Sequence, residues 1–175
     1  MFPRSASIAT AVLVMTALGS IATQDATRAG DSFATTTSCA NPHLGALPVV
    51  TAEAPRAKLR LAVAADDETR QVGLMCVTHL KAQTGMLFVF GIDDRVEFWM
   101  KHTLIPLDMV WVRTNGTVDT VATNVPKSTL ETPDEKVARR AGAGRYVIEL
   151  SAGEAKIDGI APGKRIKIPE GLRAR

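Results

Sequence analysis

The run Phe98-Trp99-Met100-Lys101-His102-Thr103, followed by Ile105-Pro106-Leu107-Asp108, is the densest mixture of aromatic, cationic and polar side chains in the sequence. A cation beside an indole, with a carboxylate a few residues on, supplies the parts of a pocket for an anionic or polar ligand. Trp99, Lys101, Thr103 and Asp108 are therefore the candidate ligand-binding residues. The plainer alternative has Trp99 packing in the core and Lys101 pairing with an acid at a strand end. The same groups would also suit acid–base chemistry, with Asp108 or Glu149 exchanging the proton and Lys101 as electrostatic helper.

Soft metal ligands form a second constellation: Met75, Met86, Met100, Met109, Cys76, His79 and His102. Thioether and thiolate select Cu(I). The methionines lie in apolar runs, however, where they serve as core filler, and no Met-x-Met or His-x-His spacing strengthens the case. A site drawn from His102, Met100, Met86 and Met75 is the lesser reading, and no metal or cofactor is expected. Cys76 and His79 would share a helix face at i, i+3, yet a reactive thiol needs an electropositive, accessible setting that nothing in the sequence supplies. There is no Gly-x-Ser-x-Gly elbow, no His-Glu-x-x-His, no phosphate-cradling glycine loop and no four-ligand zinc pattern. Binding is favoured over catalysis.

The elements that must position these groups are short. Lys58 to Val63 alternates as a half-buried strand; Asp66 and Asp67 cap a helix carrying Val72, Met75, Cys76 and His79 at helical spacing. Met86–Phe90, between Gly85 and Gly91, is a strand buried on both faces, and 96–100 is another. Asn115-Gly116, between 107–112 and 118–122, predicts a hairpin with a type I′ turn. Thr132-Pro133-Asp134-Glu135 resembles a capping box opening a helix towards Arg140. A strand at 146–150, a short helix at 152–158 stopped by Gly159, and an alternating strand at 164–168 complete the pattern. About six strands with two or three short helices predict a mainly β (β-rich α+β) domain, a small antiparallel sandwich or partly closed barrel.

Composition agrees with such a domain: 46% apolar and 22% charged residues can bury a core, and 13 Gly with 9 Pro exclude a long-helix protein. Arg4 precedes a nearly uncharged run from Ile8 to Ala22, too short and diluted for a membrane span, with small residues at Ser20 and Ala22; this is the pattern of a secretory signal. The expected organisation is a signal peptide at 1–22, a Thr/Ala/Pro-rich tether at 23–57, a globular domain at 58–168 and a basic tail at 169–175. Export, and a periplasmic location, follow from that reading, with a membrane tether if the signal is not cut. In an oxidising compartment Cys39 and Cys76 are able to pair, or else Cys39 is an exposed thiol and Cys76 a small core residue. A net charge of +3 without a clustered basic face argues against nucleic acid. The expected partner is a small polar ligand or an envelope protein.

Five motifs in order, Gly73-Leu74-Met75, Gly85-Met86-Leu87-Phe88-Val89-Phe90, Phe98-Trp99-Met100-Lys101-x-Thr103, Ile105-Pro106-Leu107-Asp108 and Tyr146-Val147-Ile148-Glu149-Leu150-x-Ala152-Gly153, resemble the domain-of-unknown-function family numbered 192. The resemblance covers roughly 58–168 and implies a compact β-rich domain, often behind a signal peptide or membrane anchor, with no activity to carry over. Trp99, Lys101, Thr103 and Asp108 fall in its most recognisable segment. His102 stands where the family usually has Asn, and Cys76 where a bulkier residue is usual.

Overall fold

The computed structural model describes residues 33–35 and 39–175; the expected signal at 1–22 lies outside the described residues. Six strands form one open, mixed sheet in the order β2-β3-β5-β8-β6-β7: β2 (Val49–Glu53), β3 (Lys58–Ala64), β5 (Thr84–Trp99), β6 (Leu107–Val112), β7 (Val118–Val125) and β8 (Arg139–Ser151). A two-stranded sheet pairs β1 (Phe33–Thr35) with β4 (Val77–Leu80). The helices are α1 (Asp67–Val72) and α2 (Glu154–Ile157). All pairings of the large sheet are antiparallel except β3 with β5, which run parallel through the α1–β4 crossover. The fold is thus the β-rich α+β class expected.

Alternation along the strands divides the core between the two faces of the sheet. On one face Leu61, Leu87, Val110, Ile148 and Leu150 pack under Ala155, Ile160 and Ile166. On the other, Met86, Phe88, Met109, Trp111 and Val147 pack under Leu44, Leu74, Val77 and Met100.

The central strands are longer than the sequence suggests. The runs at 86–90 and 96–100 are one strand, β5, whose register against β8 shifts between Val89 and Asp94 where Gly91 and Ile92 stand out to solvent. The helix expected from Thr132 is a single 3-10 turn at Asp134–Lys136 without a side-chain cap, because Arg139 to Gly144 pair with Trp99 to Asp94 and draw the chain into β8. Gly142 makes that pairing compact: a Cβ there would lie 2.6 Å from Trp111 Cγ.

The other helix also ends early. Asp66 caps α1, its Oδ1 accepting from Thr69 N at 2.9 Å, and the helix stops at Val72 because Gly73 adopts φ +48° and donates back to Thr69 O. A Cβ at Gly73 would sit 3.2 Å from the Phe88 ring. Met75 and Cys76 therefore lie in a turn and His79 on β4, exposed, so the shared helix face of Cys76 and His79 does not exist.

The β6–β7 hairpin forms where Asn115-Gly116 marks it, with a different turn. Arg113 pairs with Thr117 around three residues, only Gly116 of the central pair has positive φ (+82°), and Asn115 Oδ1 accepts from Thr117 N at 2.9 Å. This is the bulged three-residue loop rather than type I′. Residues 164–168 make two isolated bridges, Glu53 with Lys167 and Thr117 with Arg165, in place of a strand. At the other end the sheet starts at β2, ahead of the boundary at 58, and Arg175 N docks on Ala65 O at 2.7 Å, so parts of both flanking segments are built into the fold.

Candidate functional site

Three of the four candidate ligand-binding residues meet at one small cleft. Trp99 ends β5, Lys101 and Thr103 follow it in a turn, and opposite them run the end of α1 and the turn after it, from Arg70 to Met75; Phe88, Phe98 and Glu149 complete the walls and floor. The space is about 30 Å³, room for a water or a small polar group. Strand alternation does not govern these residues beyond Trp99, because His102 takes φ +49° and reverses the chain.

That turn is held from several sides. His102 O accepts from Cys76 N at 2.9 Å, and Cys76 itself has φ +67°. Two left-handed non-glycine residues hydrogen-bonded to each other are a local strain that the surroundings must over-determine, as at many binding sites. The surroundings are the Cys39–Cys76 disulfide, Cα atoms 5.4 Å apart, and Asn41, whose Nδ2 donates to Gly73 O at 2.9 Å and Met75 O at 3.0 Å. Ser128 N donates to Thr103 O at 2.9 Å, while Thr103 Oγ1 donates to Lys101 O at 3.1 Å.

Trp99 carries two cations near its ring, Lys101 Nζ at 5.5 Å and Arg139 Cζ at 5.0 Å from the centroid. Lys101 also pairs with Asp134, whose carboxyl is held below the usual carboxylate range by that hydrogen bond. Arg70 donates to Ala65 O at 2.7 Å and Val89 O at 2.8 Å and lies 5.3 Å over Phe90, so its guanidinium is fixed along the cleft wall.

Asp108 is elsewhere, and its placement corrects the expectation of a ligand contact. It is fully buried in β6, where Oδ1 accepts from Asn124 N at 2.8 Å and Oδ2 accepts from Gly153 N at 2.9 Å and Ala155 N at 3.0 Å. A carboxylate bound to three amides and sealed from solvent ties the start of α2 to the end of β7. Asp108 does not line the cleft that Lys101 lines, and the two side chains have different partners.

The carboxylate at the site is Glu149. It lies on the Met-rich face between Met86 and Met109 by register, is 4% exposed, and has neither a hydrogen bond nor an ion pair at its carboxyl among the described residues. Burial alone pushes its pKa up to about 8. At neutral pH it is a carboxylic acid, able both to donate and to accept a hydrogen bond at the floor of the cleft. Its signal in the sequence is a lone acid inside the apolar strand 146–150.

The soft ligands do not converge. Met86, Met100 and Met109 are sealed in the core, Cys76 is in the disulfide, and His102 and Met75 are half-buried. Among the described residues no three His, Cys, Asp or Glu side chains are grouped to hold a metal ion, and no helix is long and apolar enough to cross a membrane.

A β-rich α+β domain with one buried acid under an aromatic–cationic turn is the class of protein that fold and site define. The chain belongs to the domain-of-unknown-function family DUF192, described as an uncharacterized ACR, whose model matches residues 49–168. It is similar to a proposed transcription regulator from Sinorhizobium meliloti 1021, at 33% identity and TM-score 0.60, over 69% of this chain and 94% of that one. It is also similar to a protein of unknown function from Novosphingobium aromaticivorans DSM 12444, at 27% identity and TM-score 0.58, over 74% and 92% of the two chains. No curated protein matches.

Proposed function

We propose that the chain is an exported, non-catalytic binding module that takes a small polar group into the cleft between Trp99, Lys101, Thr103 and Glu149. The observation that carries this is the unpaired carboxyl of Glu149 at the floor of that cleft. A nearly buried carboxyl that no group among the described residues bonds is poorly hydrated, and a ligand that supplies hydrogen bonds recovers part of that cost on binding. Trp99 and its two cations offer a platform for the part of the ligand that stays outside, which suits a polar or anionic molecule. Export is supported by Arg4 and the apolar run from Ile8 to Ala22, and by a disulfide that persists in oxidising compartments. The regulator function named for the Sinorhizobium protein is not adopted, since a space of about 30 Å³ takes a small group rather than a nucleic acid strand.

Amide chemical shifts read during titration with small hydroxyl-, amide- and carboxylate-bearing fragments test the proposal. Saturable shifts at Thr103, Gly73 and Glu149, abolished in Glu149→Met and weakened in Trp99→Ala, are expected. Fragments that bind equally well to Glu149→Met would sink it.

A second reading rests on the same side chain. A buried acid titrating near pH 8 is poised to give up or take a proton, so Glu149 replaces Asp108 as the acid–base group of an enzyme. Turnover of a bound fragment, lost in Glu149→Gln while binding persists, would select this reading over the first.

A further inference from the structure

A larger groove opens on the other face of the sheet, away from Glu149. It has a volume of about 700 Å³, within the size range of small-molecule sites, and lies between the Thr114–Gly116 turn and the C-terminal segment 165–173. Its floor includes Tyr146, part of the core opposite the Glu149 face. Four basic side chains line it, Arg145, Arg165, Lys167 and Arg173, against one acid, Glu170.

We infer that this groove is a second binding site, for a compact polyanion of the phosphate class. Two of its guanidiniums are already positioned. Arg145 donates from Nε to Phe90 O at 3.2 Å and from Nη2 to Leu172 O at 2.8 Å, and lies 5.2 Å over the Tyr146 ring. Arg165 donates from Nη2 to Asn115 O at 2.7 Å. Each keeps further N–H groups uncommitted, and a guanidinium held by carbonyls loses little freedom when it closes on a tetrahedral oxyanion. The carbonyls fix geometry without neutralising charge, so both cations stay available. Lys167 has one ion pair, to Glu53 at 3.0 Å, and is 82% exposed; Arg173 is exposed. The lining thus carries four cations against Glu170, of which only Lys167, among the described residues, is shared with an acid outside it, Glu53. A concave site suits a small phosphate-bearing molecule better than a nucleic acid duplex, which needs a basic stripe along an open face.

The test is a nuclear magnetic resonance titration of the full chain with inorganic pyrophosphate, ionic strength held constant with sodium chloride. Saturable shifts at the Asn115 and Gly116 amides and at the Arg145 and Arg165 Nε–H groups are expected at millimolar concentration. Arg165→Gln, at an exposed position, should weaken binding roughly tenfold, the loss of one charge-assisted contact, and the charge reversal Arg173→Glu by at least as much. Because Arg145 also ties Phe90 to Leu172, its substitution is not used. Absence of saturable shifts, or a midpoint in both variants equal to that of the wild type, would overturn the inference. So would binding of a duplex oligonucleotide that pyrophosphate fails to displace.

Discussion

Replacing Glu149 should make the protein more stable, by an amount that grows with pH. In the fold its carboxyl titrates at about 8, against 4.5 for an unburied glutamate. Between those values the folded chain keeps a proton that the unfolded chain releases, so rising pH favours unfolding across this window. At about 1.4 kcal/mol per pKa unit, the native state loses roughly 3 kcal/mol at pH 7 and about 5 kcal/mol by pH 9, relative to pH 4. Glu149→Gln removes the titration with little change of volume, and Glu149→Met also matches the neighbouring Met86 and Met109. Urea unfolding of the wild type and both variants at several pH values from 5 to 9 supplies the comparison. The stability difference between Glu149→Gln and the wild type should rise with pH and level off above pH 8. Groups such as Asp66 and Asp134, which are held below their ordinary values by their hydrogen bonds, contribute equally to both proteins and cancel. A difference independent of pH would refute the burial and isolation of Glu149 on which the site rests.

Asp108→Ala should cost about 2 to 4 kcal/mol, because three amides, that of Ala155 buried, lose their acceptor; an unchanged midpoint in urea would contradict its structural role. Removing the disulfide with Cys39→Ser and Cys76→Ser should cost about 3 to 4 kcal/mol, from the loop entropy of a 37-residue separation, and free thiol at both positions in native material would remove the basis for that loss. Gly142→Ala should cost about 1 to 3 kcal/mol and shift Trp111 fluorescence, since the new methyl meets the indole; a silent substitution would show that β8 is not pressed against Trp111.

Local chemistry was legible in the sequence and long-range competition was not. Asn115-Gly116 announces the hairpin because the turn is made of its own residues, although the number of loop residues, set by the Arg113–Thr117 pairing, is not visible. The capping signal at Thr132 is genuine but loses to strand pairing with residues 94–99, which no local pattern reveals. Likewise the helical spacing through His79 is cut by Gly73, whose positive φ answers to Phe88. Trp99, Lys101 and Thr103 were readable as a site because they lie within one turn. Asp108 misled because its partners, Asn124, Gly153 and Ala155, are remote in sequence, so that a carboxylate capping the fold looks the same as one facing a ligand. Glu149 was visible only as an exception, one acid in an apolar strand.

The central claim is that the cleft over Glu149 holds a small polar ligand. Native mass spectrometry of the chain recovered from its own cells, compared with Glu149→Met expressed at the same level, tests it most directly. Wild type should carry a small retained molecule that Glu149→Met lacks. Wild type found bare, or the same adduct on both proteins, would contradict it.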